Sequence, residues 1–367
     1  MSPRALLATL VWLTLASLQV GCLSHHRGSL PGEPKDATFA EVGGARVRYI
    51  DRGQGPAVVL LHGFAASLNT WKEIVKELEP NHRVIALDLK GFGWTDRPEG
   101  DYSPMAQAEL VHELLDQLGV KETAVVGHSW GAAVALAVAI KRPDRVTRLA
   151  LYDAWVFEEQ LPTTFLWARA DGVGELLFGL FYAERPADKM ALAFFDPEKL
   201  PESEVENVEA ALARPGTTAA ALAAVRGQRF EELERHYPEI DRPVLLLWGR
   251  EDRVTPLAYG ERLASQLPQA KLEIYPRCGH FPMIEAKAAS TTELKAFLAL
   301  PSPPQPKAAA PAKPAPSPTP VAPTPTAPVP PSATPPEPPP VAPPTPTESP
   351  ADPEPTDTVE PPTPFDE

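Results

Sequence analysis

Short, unbroken apolar runs recur along the first 300 residues, and segments with helical spacing separate them. Residues 57–61, 84–87, 123–126 and 244–248 contain no charged side chain, and 146–152 contains one, Arg148. A strand that is apolar on both sides has to be covered on both faces, which is the situation of a parallel sheet between two helical layers. Residues 46–51 and 272–275 read as further strands. Helical periodicity occupies 67–78, 105–118, 132–140, 257–267 and 286–298. The pattern predicts an α/β fold with a mostly parallel sheet and helices on both faces.

One stretch breaks the alternation. Residues 155–241 show no buried strand and are helical and aromatic, with Phe165, Trp167, Phe178, Phe181, Tyr182, Phe194 and Phe195. An insertion after the sixth strand sits above the carboxyl edge of the sheet, where ligands of α/β proteins bind. It is expected to be a helical cap.

The pentapeptide Gly127-His128-Ser129-Trp130-Gly131 lies between the run 123–126 and the Ala-rich helix 132–140. A serine hydroxyl is a weak nucleophile until a sharp strand-to-helix turn exposes it beside a base, and flanking glycines let neighbouring backbone approach. Ser129 is the candidate nucleophile. Such a nucleophile needs a base, an orienting acid and oxyanion donors, and the acid and base candidates come in the expected chain order of Ser, then Asp, then His. Asp252 comes just after the strand 244–248, with Glu251 and Asp153 as rival acids. His280 stands in Cys278-Gly279-His280-Phe281-Pro282, after the last strand. The backbone N–H groups of Phe64, in Leu60-Leu61-His62-Gly63-Phe64, and of Trp130 are the expected oxyanion donors. His62 and His128 are expected to brace loops, and Cys278 to be a packed thiol. Such a centre asks for no metal or organic cofactor.

Both ends of the chain carry appendages. Arg4 precedes an apolar stretch, residues 5–18, too short for an ordinary membrane span. The stretch ends at Leu18-Gln19-Val20-Gly21-Cys22, which resembles a bacterial lipoprotein signal. That resemblance implies lipidation at Cys22 and tethering to an envelope membrane, the alternative being an ordinary secretory signal cleaved near Gly21. With Cys22 and Cys278 the sole cysteines, an intramolecular disulfide would have to use the lipid site, and no disulfide framework is expected. From Pro301 onward lie 28 of the 47 prolines and a net charge of −6 out of −14. This segment cannot bury enough apolar surface to fold and is expected to be a disordered or polyproline-II tail, a spacer able to contact cell-wall polymer. No basic stripe suggests nucleic acid. The expected organisation is signal peptide 1–22, linker 23–37, core 38–154 and 242–300, cap 155–241 and tail 301–367.

Taken together, residues 38–300 resemble the capped group of the α/β-hydrolase superfamily. The likeness rests on the serine elbow, His62-Gly63-Phe64, the glycine-rich segment from Asp88 to Pro98, Gly249 to Asp252, and Gly279-His280. It implies an eight-stranded sheet. Epoxide hydrolases and haloalkane dehalogenases of this group attack through a carboxylate, so the serine disfavours both activities and points to attack on an sp² carbonyl. The expected function is cleavage of a carboxylic ester, or a related acyl bond, of a small or medium apolar small-molecule substrate through an acyl-enzyme. Carbon–carbon bond hydrolysis of a dienone-type, meta-cleavage substrate is the second reading. A non-catalytic, lipid-anchored envelope binding protein is the third.

Overall fold

The computed structural model describes residues 23–301. The signal segment 1–22, with Cys22, and the Pro-rich segment 302–367 lie outside the described residues. Eight strands form one sheet: β1 (Thr38–Val42), β2 (Ala45–Arg52), β3 (Ala57–Leu61), β4 (Arg83–Leu87), β5 (Thr123–His128), β6 (Val146–Tyr152), β7 (Val244–Gly249) and β8 (Ala270–Tyr275). Their spatial order is β1-β2-β4-β3-β5-β6-β7-β8. The β1–β2 and β2–β4 pairings are antiparallel, and every pairing from β4–β3 to β7–β8 is parallel.

Twelve helices surround the sheet. The core carries α1 (Lys72–Leu78), α2 (Pro104–Gln117) and α3 (Trp130–Lys141). Between β6 and β7 run α4 (Thr163–Ala168), α5 (Val173–Phe181), α6 (Pro186–Ala193), α7 (Glu202–Leu212), α8 (Thr217–Gly227) and α9 (Phe230–Glu234). After β7 come α10 (Leu257–Gln266), α11 (Pro282–Glu285) and α12 (Lys287–Leu298). The six helices from α4 to α9 are the cap.

The apolar runs are continuous because alternate residues serve opposite faces. Val59 and Leu61 of β3 pack with Ile85, Leu87 and Val125 toward α2 and α3. Val58 and Leu60 pack with Val84, Ala86 and Val126 toward α1 and α12. Both clusters are sealed from water, so each strand contributes to two cores. Helix α3 is buried along nearly its whole length, in keeping with its alanine and valine content.

Residues 23–37 are more firmly held than a linker need be. His26 and Arg97 exchange two backbone hydrogen bonds, of 2.9 and 2.8 Å. Leu30 is buried. Arg97 is itself buried and donates to the carbonyls of Gly93 and Thr95 and to Thr217 Oγ1 in α8. The glycine-rich segment after β4 thus fastens the N-terminal residues and the cap to the core.

Candidate active site

Ser129 sits between β5 and α3 with φ +54° and ψ −122°, a backbone conformation costly for any residue other than glycine. The surrounding structure imposes it. A Cβ on Gly131 would stand 2.4 Å from the carbonyl oxygens of Leu61 and His62, and one on Gly127 would stand 2.5 Å from Gly131 O. Only glycines allow β3, β5 and α3 to close this tightly around the turn. Ser129 N donates to Tyr152 O on the neighbouring strand. The residue is 4% exposed.

His280 and Asp252 meet next to this turn, the His280 ring lying 4.8 Å from that of His128, the residue before Ser129. Asp252 Oδ2 accepts from His280 Nδ1 at 2.8 Å and from Thr255 Oγ1 at 2.6 Å. Its other oxygen accepts from the amides of Val254 and Thr255, at 2.7 and 2.9 Å. Burial opposes a charge on Asp252, but the His280 imidazole and the Thr255 hydroxyl and amide outweigh it and hold the carboxyl below its ordinary range. A carboxylate on Nδ1 fixes the tautomer that leaves Nε2 free to accept a proton.

The two rival acids do other things. Glu251 accepts from Cys278 N at 3.1 Å and donates its own amide to Cys278 O, tying the loops after β7 and β8 together. Asp153 ends β6 with φ +42° and accepts from Gly249 N at 2.9 Å. Its Oδ2 has no hydrogen-bond partner among the described residues. Complete burial, and next the Asp252 charge, push its carboxyl well above the usual range. Asp153, Asp252 and His280 are the one cluster among the described residues with three metal-ligating side chains in reach, their ligand atoms lying within 4.8 Å of one another. Asp252 and His280 already bind each other there.

The proposed oxyanion donors are open. Neither Phe64 N nor Trp130 N donates to a protein acceptor among the described residues, and Trp130 N belongs to the unpaired first turn of α3. Gly63 lies against the nucleophile turn: a Cβ there would approach Ser129 Cβ to 3.1 Å. His62 accepts at Nε2 from Leu89 N at 2.9 Å, so its proton is on Nδ1, which faces Gly63 O at 2.8 Å. Burial keeps it neutral. His128 donates from Nε2 to His280 O at 2.8 Å, and burial, with His280 next, lowers it to about 3. Both histidines brace loops. Cys278 is wholly buried, and burial raises its thiol far above the usual range.

Three contributors lie outside the residues named from the sequence. Thr255 holds Asp252. Ala193 O, at the end of α6, accepts from His280 N at 2.7 Å and so joins the cap to the histidine. Glu285 accepts from the amides of Gly279 and Phe195, at 2.9 and 2.8 Å, reinforcing that junction. Asp-x-x-Thr is a local turn pattern that sequence could have flagged, whereas Ala193 acts through its backbone carbonyl and Glu285 through a carboxylate on backbone amides, contacts that only the tertiary fold brings together.

A cleft of about 140 Å³ flanks the site, its wall including Phe64, Trp94, Met190, Phe194, Arg214 and Phe281. Phe64 and Phe281 place it between the oxyanion segment and the His280 loop. A larger hollow of about 620 Å³ lies between Leu23, Tyr102 and α8 and touches none of these site residues. Arg214 is stacked on Trp94 at 3.5 Å and donates to Gly93 O, with no carboxylate in ion-pair range among the described residues. Burial, and then Arg97, lower it only to about 10, so it remains a cation.

The sequence matches the family described as the alpha/beta hydrolase fold over residues 56–287. It is 30% identical over 283 residues to an uncharacterized protein of Mycobacterium tuberculosis, covering 74% of this chain and 83% of the relative. It is 31% identical over 269 residues to the 2-hydroxy-6-oxo-2,4-heptadienoate hydrolase of Pseudomonas putida, covering 70% and 94%. The solved structure of a thermophilic esterase from Thermogutta terrifontis superposes with a TM-score of 0.62 at 26% identity, covering 72% of this chain and 98% of the esterase.

Proposed function

The chain belongs to the α/β-hydrolase family, and within it we propose a serine hydrolase that cleaves carboxylic esters of small or medium apolar acyl groups. The observation that carries this reading is the His280–Asp252 hydrogen bond standing beside a strained serine turn. Ser129 Oγ attacks the carbonyl carbon and passes its proton to His280 Nε2. The amides of Phe64 and Trp130 hold the negative oxygen. Collapse of this intermediate expels the alkoxide, which takes the proton from His280 and leaves Ser129 acylated. Water then attacks the acyl carbon, gives a proton to His280, and releases the acid with Ser129 restored. Asp252 stays ionised throughout and stabilises the imidazolium. Ser129→Ala assayed with a chromogenic short-chain ester tests the reading: turnover is expected to vanish, and full retention would sink it.

A second reading is hydrolysis of a carbon–carbon bond, and two observations favour it. The Pseudomonas putida relative is named for a hydroxy-oxo-dienoate, a molecule with no ester for water to cleave. The Arg214 guanidinium in the cleft wall also suits a substrate bearing a carboxylate. The same residues serve, with a stabilised carbanion leaving in place of an alkoxide. A panel of neutral esters and dienoates separates the two. We also propose an exported, lipid-anchored enzyme, a reading supported by residues 5–22.

A further inference from the structure

Large exposed apolar side chains are concentrated on one part of the molecule. Of the ten among the described residues with more than a third of their surface exposed, eight lie between residues 166 and 195, in the cap. Leu166 and Trp167 project from α4, and Val173, Leu176, Leu180 and Phe181 from α5; Trp167, Leu180 and Phe181 are 60%, 53% and 58% exposed. On α5 the exposed residues follow helical spacing. Gly174 and Phe178 occupy the opposite side, packed toward α4 and α8. A helix that is apolar on both sides has a second partner for the side turned outward.

The start of the described chain indicates that partner. Leu23 packs on the cluster formed by Ala168, Phe178, Leu222 and Val225, at the inner side of the same helices. Three residues later His26 is bonded to Arg97. Cys22 is therefore one Cα–Cα step, about 3.8 Å, from a residue fixed to the cap. A lipid on Cys22 that enters a bilayer leaves little slack, so the α4–α5 layer is held near the headgroup region, which is several ångströms deep. Exposed Trp and Phe beside leucines are the side chains that prefer this layer. Local charge is close to balanced, with Arg169, Arg185 and Lys189 against Asp171, Glu175, Glu184 and Asp188 between residues 166 and 195, and Asp171 shares Arg226 with Glu175. Arg169 pairs with Glu158, Glu175 with Arg226 and Arg185 with Asp188, while Lys189 is bonded to the carbonyls of Phe181 and Tyr182.

We propose that the outer face of α4 and α5 docks on a phospholipid bilayer, inserting Trp167, Leu180 and Phe181 among the headgroups. The contact goes beyond the hydrolytic reading and does not depend on which bond is cleaved. It rests on the anchored reading of residues 5–22.

Tryptophan fluorescence of the full chain with phosphatidylcholine vesicles, plain or brominated in the acyl chains, tests the proposal. A Trp12→Phe background silences the leader. Bromolipid is expected to quench the emission, and adding Trp167→Phe removes that quenching. Leu180→Glu with Phe181→Glu removes most of it while leaving hydrolysis of a water-soluble ester unchanged. If the protein floats with vesicles yet Trp167→Phe leaves the quenching as it was, cap docking is wrong and the anchor alone binds. If nothing floats or quenches, docking and anchoring both fall, and the hydrolase reading is untouched. A dimer in lipid-free solution that the glutamate pair dissolves would assign this face to a second copy of the chain and overturn the proposal.

Discussion

His280 Nδ1 donates to Asp252 Oδ2 over 2.8 Å, and the same oxygen receives the Thr255 hydroxyl at 2.6 Å. Asp252→Asn would keep the shape but present an amide to the imidazole and select the wrong tautomer. Its kcat is expected to fall on the order of 10⁴-fold with KM little changed. Steady-state kinetics on a short-chain ester check this.

Thr255 acts through Asp252. Thr255→Val removes the hydroxyl and leaves a buried carboxylate oxygen with one donor, a loss of roughly 1.5–3 kcal/mol for a hydrogen bond to a charged group. The expected outcome is a drop in kcat that Thr255→Ser restores. A volume effect alone would not show that rescue.

The legibility of this architecture follows burial. Strands β3, β4, β5 and β7 are covered on both faces, so their apolar runs stood out. The strand β1 did not, because it lies at the sheet edge with most of its residues partly exposed. The periodicity over 67–78 is in fact a 3₁₀ turn, Leu68–Trp71, leading into α1; the apolar spacing of the two is nearly the same. The cap was readable as helical but not as six helices, since Gly, Pro and aromatic residues recur through it without a single period. Ser129, Asp252 and His280 could be named as candidates because the α/β-hydrolase fold sets them in a fixed order along the chain, each in the loop after a strand. The Ala193 carbonyl could not, because any residue type supplies one.

Arg214 divides the two substrate readings. Arg214→Gln would remove a cation from the cleft and is expected to raise KM for carboxylate-bearing substrates by about tenfold. Neutral esters should be unaffected. Equal effects on both would assign Arg214 to packing on Trp94.

Buried titratable groups set the pH dependence of stability in opposite senses. His128 is held down to about 3 by burial and His280, and His112 to about 4 by burial and neighbouring arginines, whereas unfolded histidines titrate near 6.5. Below about 6.5 the unfolded chain binds protons that the folded one refuses, so stability falls as the pH drops, by up to about 1.4 kcal/mol per pH unit for His128. Chemical denaturation at several pH values measures this slope, and His112→Gln should reduce it.

Asp153 works the other way. Folded, it keeps a proton above the ordinary aspartate value of about 3.9, so the folded state binds the extra proton and stability declines as pH rises above that value. Asp153→Asn should flatten this decline. A stability profile identical to that of the parent would mean that Asp153 is ionised in the folded protein.

The acyl-enzyme at Ser129 is the centre of the account, and intact-protein and peptide mass spectrometry after brief exposure to a fluorophosphonate tests it most directly. One stoichiometric adduct is expected on Ser129, lost in Ser129→Ala and strongly slowed in His280→Gln. An unmodified Ser129 in folded protein that still turns over ester, or an adduct elsewhere that accounts for the activity, would contradict it.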